Sequence, residues 1–545
     1  ADLAKDYLDI PEDLRNPDLF YKEGIALFGM LMLFVLVNTF FLFLTRQTII
    51  VMSRLIEYDL KNEIYDKYQA LSYSFYKVNS TGDIMNRISE DVTHVRMYLG
   101  PAVMYSLNVV VLCSLTLYQM IDMSPMLTLY VLLPLPVMSV LIFKISQLIN
   151  KKSTRVQKQQ SSLSTFVQET FSGIRVLKAF GKEDHFVGEF EDQNVEYRKS
   201  ALSLAKTNAF FSPVILLLIG LSTIITIYAG GLQVIAGTLD IGDIIAFIIY
   251  VNMLTWPFAA IGWVSSLVQR AAASQERINE FLKVEKEIKE SDEPVEELIK
   301  SIEFKDVSFT YPNTGVEALK NINFKIEHGK TLAITGRTGS GKSTIAILME
   351  RLFDVENGSI LINGINIKEF KIEPLRSQIG YVPQEVFLFS DTIENNISFG
   401  LDNDVADTEM IEQAAKDAHI HHNIVEFELE YKTKVGERGI TLSGGQKQRV
   451  SIARAIIRNP ELLIFDDCLS AVDTETEEVI LNNLNRIMKG KTNIIIGHRI
   501  SSIKQADTII VLDEGRVTES GSHEELIYLN GVYAEMYRMQ LVEEK

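Results

Sequence analysis

Nine residues, Gly336 to Thr344, read GRTGSGKST and fit the spacing G-x-x-x-x-G-K-[ST]. Glycines allow a tight turn whose backbone N–H groups converge on an anion. Lys342 is spaced to reach the β- and γ-phosphates of a nucleotide, and the Ser343 hydroxyl to sit on Mg²⁺. The apolar run Thr331–Thr335 precedes the loop as a strand, and the helix-like run Thr344–Arg351 follows it, adding a helix N-terminus to the anion site. Gly336, Thr338, Gly339, Ser340, Gly341, Lys342, Ser343 and Thr344 are the candidate phosphate-binding residues. A second apolar strand, Leu462–Phe465, ends in Asp466, a carboxylate placed to hold the same metal ion. Between them lies Leu442–Gln446, LSGGQ, followed by the helix-like Lys447–Arg458. Ser443, Gly444 and Gly445 make a second anion-binding helix start, closed by Gln446.

These loops need a parallel sheet flanked by helices, and the chain from about Glu287 onward has the mixed composition of such a domain. The first half differs. Five stretches of roughly 20 apolar residues, enough to cross a bilayer as helices, run over 24–45, 97–121, 124–143, 207–230 and 244–267. None of the five contains Asp, Glu, Lys or Arg. The long connections after the first and third carry many Lys and Arg residues, among them Arg54, Lys61, Lys151 and Arg175. The short connections at Asp122–Met123 and Gly231–Asp240 carry none. The positive-inside bias therefore puts the long connections and everything after Leu267 in the cytoplasm. It puts residues 1–23 outside, from which one further span upstream of Ala1 is expected, six in all. The long connections read as cytoplasmic extensions of the helices, each with a turn, at Lys77–Asp83 and around Ser172–Gly173.

The expected architecture is an all-α transmembrane helical domain (1–286), an acidic linker (287–300) and an α/β P-loop nucleotide-binding domain (301–545). A formal charge of −18 disfavours nucleic acid as a partner. Two cysteines, Cys113 and Cys468, offer neither a disulfide framework nor a cysteine metal site. His419, His421 and His422 cluster in sequence but are not assigned to a metal.

The order of these motifs resembles the ABC transporter family, in which LSGGQ faces the γ-phosphate of ATP held by the opposite domain. The resemblance makes the second domain ABC-type and implies ATP and Mg²⁺ as cofactors. It implies that Tyr311 stacks on adenine, that Gln384 senses Mg²⁺, that Asp473 lies in the loop crossing the dimer interface and that His498 contacts the γ-phosphate. Val435–Gly439 is similar to a segment typical of exporters. Phe75–Tyr76 with Thr81–Ile84, and Gln168–Thr170 with Gly173–Val176, look like the two intracellular loops of six-span exporters. One membrane domain and one nucleotide domain per chain make a half-transporter in the cytoplasmic (inner) membrane, with a second half-transporter as its partner.

One position departs from the family pattern. The residue after Asp466 is normally the glutamate that orients the attacking water, and here it is Asp467, one methylene shorter. Slow hydrolysis at this chain's own site is expected, with Asp467, His498 and Gln384 as its catalytic set. The preferred reading is the degenerate half of a heterodimer; a homodimer with a slow Asp467 is the alternative. Uncharged spans argue against a small-ion cargo, so an amphipathic small molecule, drug or lipid is the expected substrate, with Asn38, Asn108, Gln119, Asn252 and Trp256 as candidates for a cavity. The rival reading is a regulatory ATP-binding membrane subunit or an ATP-gated channel with little hydrolysis of its own.

Overall fold

The computed structural model describes residues 17–291, 293–401, 407–468 and 474–543. They form two units: one from residues up to Gln69 with Gly82–Val284, the other from Ala70–Thr81 with the chain from Glu285 onward.

The first unit is helical. Among the described residues four helices are long and apolar enough to cross a membrane, Gly24–Ala70, Thr81–Met123, Glu183–Ile235 and Ile241–Leu282. The remaining apolar stretch, 124–143, is divided between helices Pro125–Leu132 and Pro134–Ser172, which meet at Leu133. Pro134 lacks the N–H that would bond back to the preceding turn, so the break falls at the residue before it. Met120, Leu127, Val131, Phe247, Val251 and Leu254 are fully buried in one apolar cluster between these helices. Nearer the charged ends the cross-links are polar. Asp91 accepts two hydrogen bonds from the Arg277 guanidinium, and His94 Nδ1 lies 3.0 Å from Ser274 Oγ. Among the described residues three five-residue wide turns, Arg87–Asp91 and the neighbouring pair Arg46–Ile50 and Tyr98–Ala102, interrupt the α-helical pattern. Gly100 is needed where that pair approaches, since a Cβ there would stand 2.7 Å from Ser53 Oγ.

The second unit holds two sheets. Strands β1 (Ser301–Thr310), β2 (Glu317–Glu327), β4 (Asn357–Ile362) and β5 (Ile365–Asn366) form an antiparallel sheet in the order β2-β1-β4-β5. The larger sheet runs β10-β9-β3-β8-β7-β6, with β3 (Thr331–Gly336), β6 (Ile379–Val382), β7 (Leu462–Asp466), β8 (Thr492–Ile496) and β9 (Thr508–Asp513) parallel and β10 (Arg516–Gly521) antiparallel at its edge. β7 is buried along its whole length, as a central parallel strand covered on both faces must be. Register brings the strand ends together: Asp466 pairs with Ile496, and Ile496 with Ile334, two residues before Gly336. The carboxyl edge of this sheet, where ligands bind in such folds, therefore carries both the phosphate loop and Asp466.

The described residues of 287–300, read from sequence as a linker, are packed into this unit. Ile299 is fully buried, Val295 N–H donates to Glu369 O at 2.9 Å, and Lys371 N–H donates to Val295 O at 3.2 Å. Arg351, 1% exposed, reaches the Lys289 carbonyl (2.8 Å), the Phe370 carbonyl (3.1 Å) and the Asp354 carboxylate (3.0 Å). Ala70–Thr81 joins the same unit: the Tyr73 ring lies edge-on to Phe353 at 5.9 Å, the Ser74 hydroxyl donates to the Glu287 carboxylate, and Ile288 N–H donates to Ser72 Oγ at 3.2 Å.

Burial pushes the Glu350 carboxyl from its ordinary 4.5 up to about 7, with the Arg376 guanidinium opposing the rise. The folded state thus holds a proton that the unfolded chain releases. Stability is present at low pH and falls as pH rises from 4.5 through 7, by on the order of 3 kcal/mol. Glu350→Gln should raise the melting temperature by roughly 5 °C or more at pH 8 and by nothing at pH 5. Thermal unfolding of both purified proteins across that range checks this.

Candidate functional site

The phosphate loop is shaped by what its backbone touches. Gly336 sits at φ 145°, and a Cβ there would lie 2.0 Å from the Leu512 carbonyl oxygen. Gly341, at φ 99°, would bring one within 2.4 Å of the Ala318 carbonyl oxygen. The loop therefore threads between β9 and the start of β2 only because those positions lack side chains. It opens into the helix Lys342–Met349. The buried Lys342 ammonium donates to the carbonyls of Gly336 (2.9 Å) and Arg337 (2.8 Å), held across the loop. Burial lowers its pKa, opposed by Asp466 and Asp467.

One cleft of about 670 Å³ collects most of the residues singled out from sequence: Tyr311, Thr338, Gly339, Gly341, Lys342, Ser343, Thr344, Gln384, Asp466, Asp467 and His498. Their elements are separate in the chain and converge at the carboxyl edge of the sheet. The Tyr311 hydroxyl lies 3.1 Å from Thr344 Oγ1, tying β1's end to the loop. Asp466 is 2% exposed. Burial raises its pKa, the Ser343 hydroxyl bonded to it lowers it, and the neighbouring Asp467 raises it again. A buried carboxylate with a hydroxyl bonded to it and a second carboxylate alongside is the all-oxygen donor set that a hard divalent cation takes. These residues fit Mg²⁺. His498 is held below its ordinary pKa by burial, then by Lys342, with Asp467 opposing. It is therefore neutral at pH 7, with one ring nitrogen to donate and one to accept.

Asp467 has a feature its sequence context hides: a left-handed backbone at φ 45°. Its N–H donates to Ile496 O at 2.8 Å, so the chain turns sharply off β7 at this residue. Aspartate tolerates that region better than most residues.

Ser443, Gly444 and Gly445 do not line this cleft. They start the helix Gly444–Ile456, where Ser443 Oγ accepts from Gln446 N–H (3.2 Å) and Gln446 Oε1 accepts from Ser443 N–H (2.9 Å). The signature thus presents an exposed, self-capped helix start with no phosphate loop of its own beside it. Asp473 lies outside the described residues. His421 is taken by Tyr431, Nδ1 to hydroxyl 2.7 Å. Ser340 Oγ is buried without a hydrogen-bond partner.

Sequence reasoning missed Lys320, Glu514 and Gly515, which also line the cleft. Gly515 accepts from Lys320 N–H at 2.7 Å, a contact between β2 and the distant β9–β10 turn without local signal. It also missed a cavity of about 670 Å³ in the helical unit, walled by Phe43, Met97, Met104, Tyr105 and Trp263 with Arg46 and Gln47 among its lining. Trp256, singled out from sequence, stands beside it with its ring 5.6 Å from Tyr105. Asn252 donates to Ile248 O within its own helix.

Residues 4–258 match the family described as ABC transporter transmembrane region, and residues 319–470 match ABC transporter. The chain is 37% identical over 486 residues to "Multidrug resistance-like ATP-binding protein MdlA" of Escherichia coli (strain K12), covering 89% of this chain and 82% of that protein. It is 36% identical over 493 residues to "ATP-dependent lipid A-core flippase" of Syntrophus aciditrophicus (strain SB), covering 89% and 81%. A solved bacterial Atm1-family ABC exporter with ATP bound superposes with a TM-score of 0.80 at 27% identity, over 98% of this chain and 94% of that one.

Lys342→Ala should weaken ATP binding on the order of 100-fold, the loss of charge-assisted hydrogen bonds. Gly341→Ala should weaken it too and lower the melting temperature, because the Ala318 carbonyl must move. Equilibrium binding of a fluorescent ATP analogue and thermal unfolding of the purified variants check both.

Proposed function

Because the chain belongs to the ABC transporter family, as a half-transporter that couples ATP hydrolysis to transport across the membrane, we propose that it exports an amphipathic small molecule, drug or lipid by alternating access. The convergence of the phosphate loop, Asp466, Asp467 and His498 on one cleft carries the nucleotide part of this reading. Apolar walls with Arg46 and Gln47 among the lining of the membrane-unit cavity support an amphipathic cargo.

ATP enters the cleft with its phosphates against the loop. The Lys342 ammonium, already desolvated, exchanges carbonyl partners for β- and γ-phosphate oxygens. Tyr311 stands where the adenine lies. Ser343, Asp466 and Gln384 would hold Mg²⁺, which would neutralise charge on the phosphates. Asp467 orients the attacking water and accepts its proton, and neutral His498 donates to the γ-phosphate. Ser443, Gly444 and Gly445 serve the partner's nucleotide, since their helix start stands away from this chain's own cleft, and Asp473 contacts the partner across the interface. Ser72–Val78, packed on the nucleotide unit, carries the closing motion toward the helices. In the second connection Phe171, Val176 and Phe180 are exposed and offer an apolar face to the partner's nucleotide domain.

Asp467 is short for its role, and positioning errors in a general base cost roughly 10²–10⁴ in rate. The partner is therefore a second half-transporter bearing the competent site. Asp467→Glu in the purified single chain should raise ATP turnover at least 10-fold, and Asp467→Asn should abolish what remains. Ordinary turnover by the parent chain, unchanged by Asp467→Glu, removes the degenerate-site reading. ATP-driven accumulation of an amphipathic dye in inside-out vesicles checks export; ATP binding without vectorial flux would instead mark a regulatory subunit or gated channel.

A further inference from the structure

His498 sits in the three-residue turn between β8 and the helix Ile500–Ile503. The side-chain amide of Gln540, from the helix Val532–Glu543, grips that turn at two points. Its Nε2 donates to the His498 carbonyl at 2.6 Å, and its Oε1 accepts from Ile500 N–H at 2.7 Å. A carboxamide can make both bonds at once; a carboxylate can make only the second. The helix bearing Gln540 is itself fixed. Tyr533 is fully buried in a cluster with Ala333 of β3, Ile500 and Ile503, and its hydroxyl lies 2.7 Å from His523 Nδ1. The Glu519 carboxylate accepts from the N–H groups of Val532 (2.5 Å) and Tyr533 (3.1 Å) at the helix start. The clamp therefore refers the histidine turn to the same sheet that carries the phosphate loop.

We propose that Gln540 is a positioning residue for His498, holding the backbone on both sides of Arg499 so that the imidazole meets the γ-phosphate at a set distance. This rests on the reading of His498 as the γ-phosphate contact. A helix that only packs the domain would affect ATP and ADP alike; a clamp on His498 favours the nucleotide that has a γ-phosphate.

Dissociation constants for ATP and ADP are measured on the purified full chain in lipid nanodiscs, for the parent, Gln540→Glu, His498→Ala and the double variant. Gln540→Glu keeps the length and the Ile500 acceptor but cannot donate to the His498 carbonyl. It should weaken ATP about 5- to 10-fold, the value of one hydrogen bond, and leave ADP within about twofold. His498→Ala should do the same, and the double variant should bind ATP no more weakly than His498→Ala alone, since both changes remove one interaction. Gln540→Met, of similar length and with neither bond, repeats the measurement should the carboxylate impair folding. Equal losses for ATP and ADP, multiplying losses in the double variant, or unchanged binding in both Gln540 variants overturn the clamp. If His498→Ala leaves the ATP-to-ADP ratio unchanged, the γ-phosphate reading of the histidine falls and takes the clamp with it.

Discussion

The Leu512 carbonyl occupies the space where a side chain at position 336 would begin. That single close approach sets the path of the phosphate loop, because the strand bearing it can enter the turn only as glycine. A second approach, Ala318 against Gly341, sets the exit into the helix. Between these two fixed points Lys342 spans the loop through two carbonyls. The neighbouring parallel strands then end in register with the loop, which is how Asp466 and the His498 turn reach the same cleft without adjacency in sequence.

That much was legible from residues, since a glycine, lysine and serine at fixed spacing describe local backbone chemistry. Asp466 was legible for the same reason, as the polar end of an apolar strand. The apolar stretches announced themselves by length and lack of charge, though length alone did not show that Pro134 divides one of them between two helices. Other features stayed hidden because they depend on contacts distant in sequence. Gln540 lies 42 residues from the carbonyl that it holds. Arg351 looks like an ordinary surface arginine until its guanidinium is found bonded to Lys289 and Phe370. Nothing in the composition of 287–300 says that its apolar residues have a groove to fill. The left-handed turn at Asp467 is likewise a property of how β7 ends against β8, not of the residue itself.

The charges of the nucleotide unit divide by environment. Exposed pairs such as Lys289 with Glu285 contribute little. Buried ones set structure: Arg351 satisfies three carbonyl or carboxylate partners, and Arg376 donates to the carbonyls of Glu350 and Arg351. This polar knot joins Lys289 and Phe370 to the foot of the helix that leaves the phosphate loop.

The docking of Ala70–Thr81 onto the later half of the chain has a consequence for biosynthesis. Ser74 and its partner Glu287 are 213 residues apart. At a translation rate of about 5–20 residues per second, the earlier segment leaves the ribosome roughly 10–40 s before the surface that receives it. Tyr73 and its neighbours thus spend the insertion of four later apolar stretches without their final contacts, and the chain's first cytoplasmic turn is among the last parts of the molecule to mature.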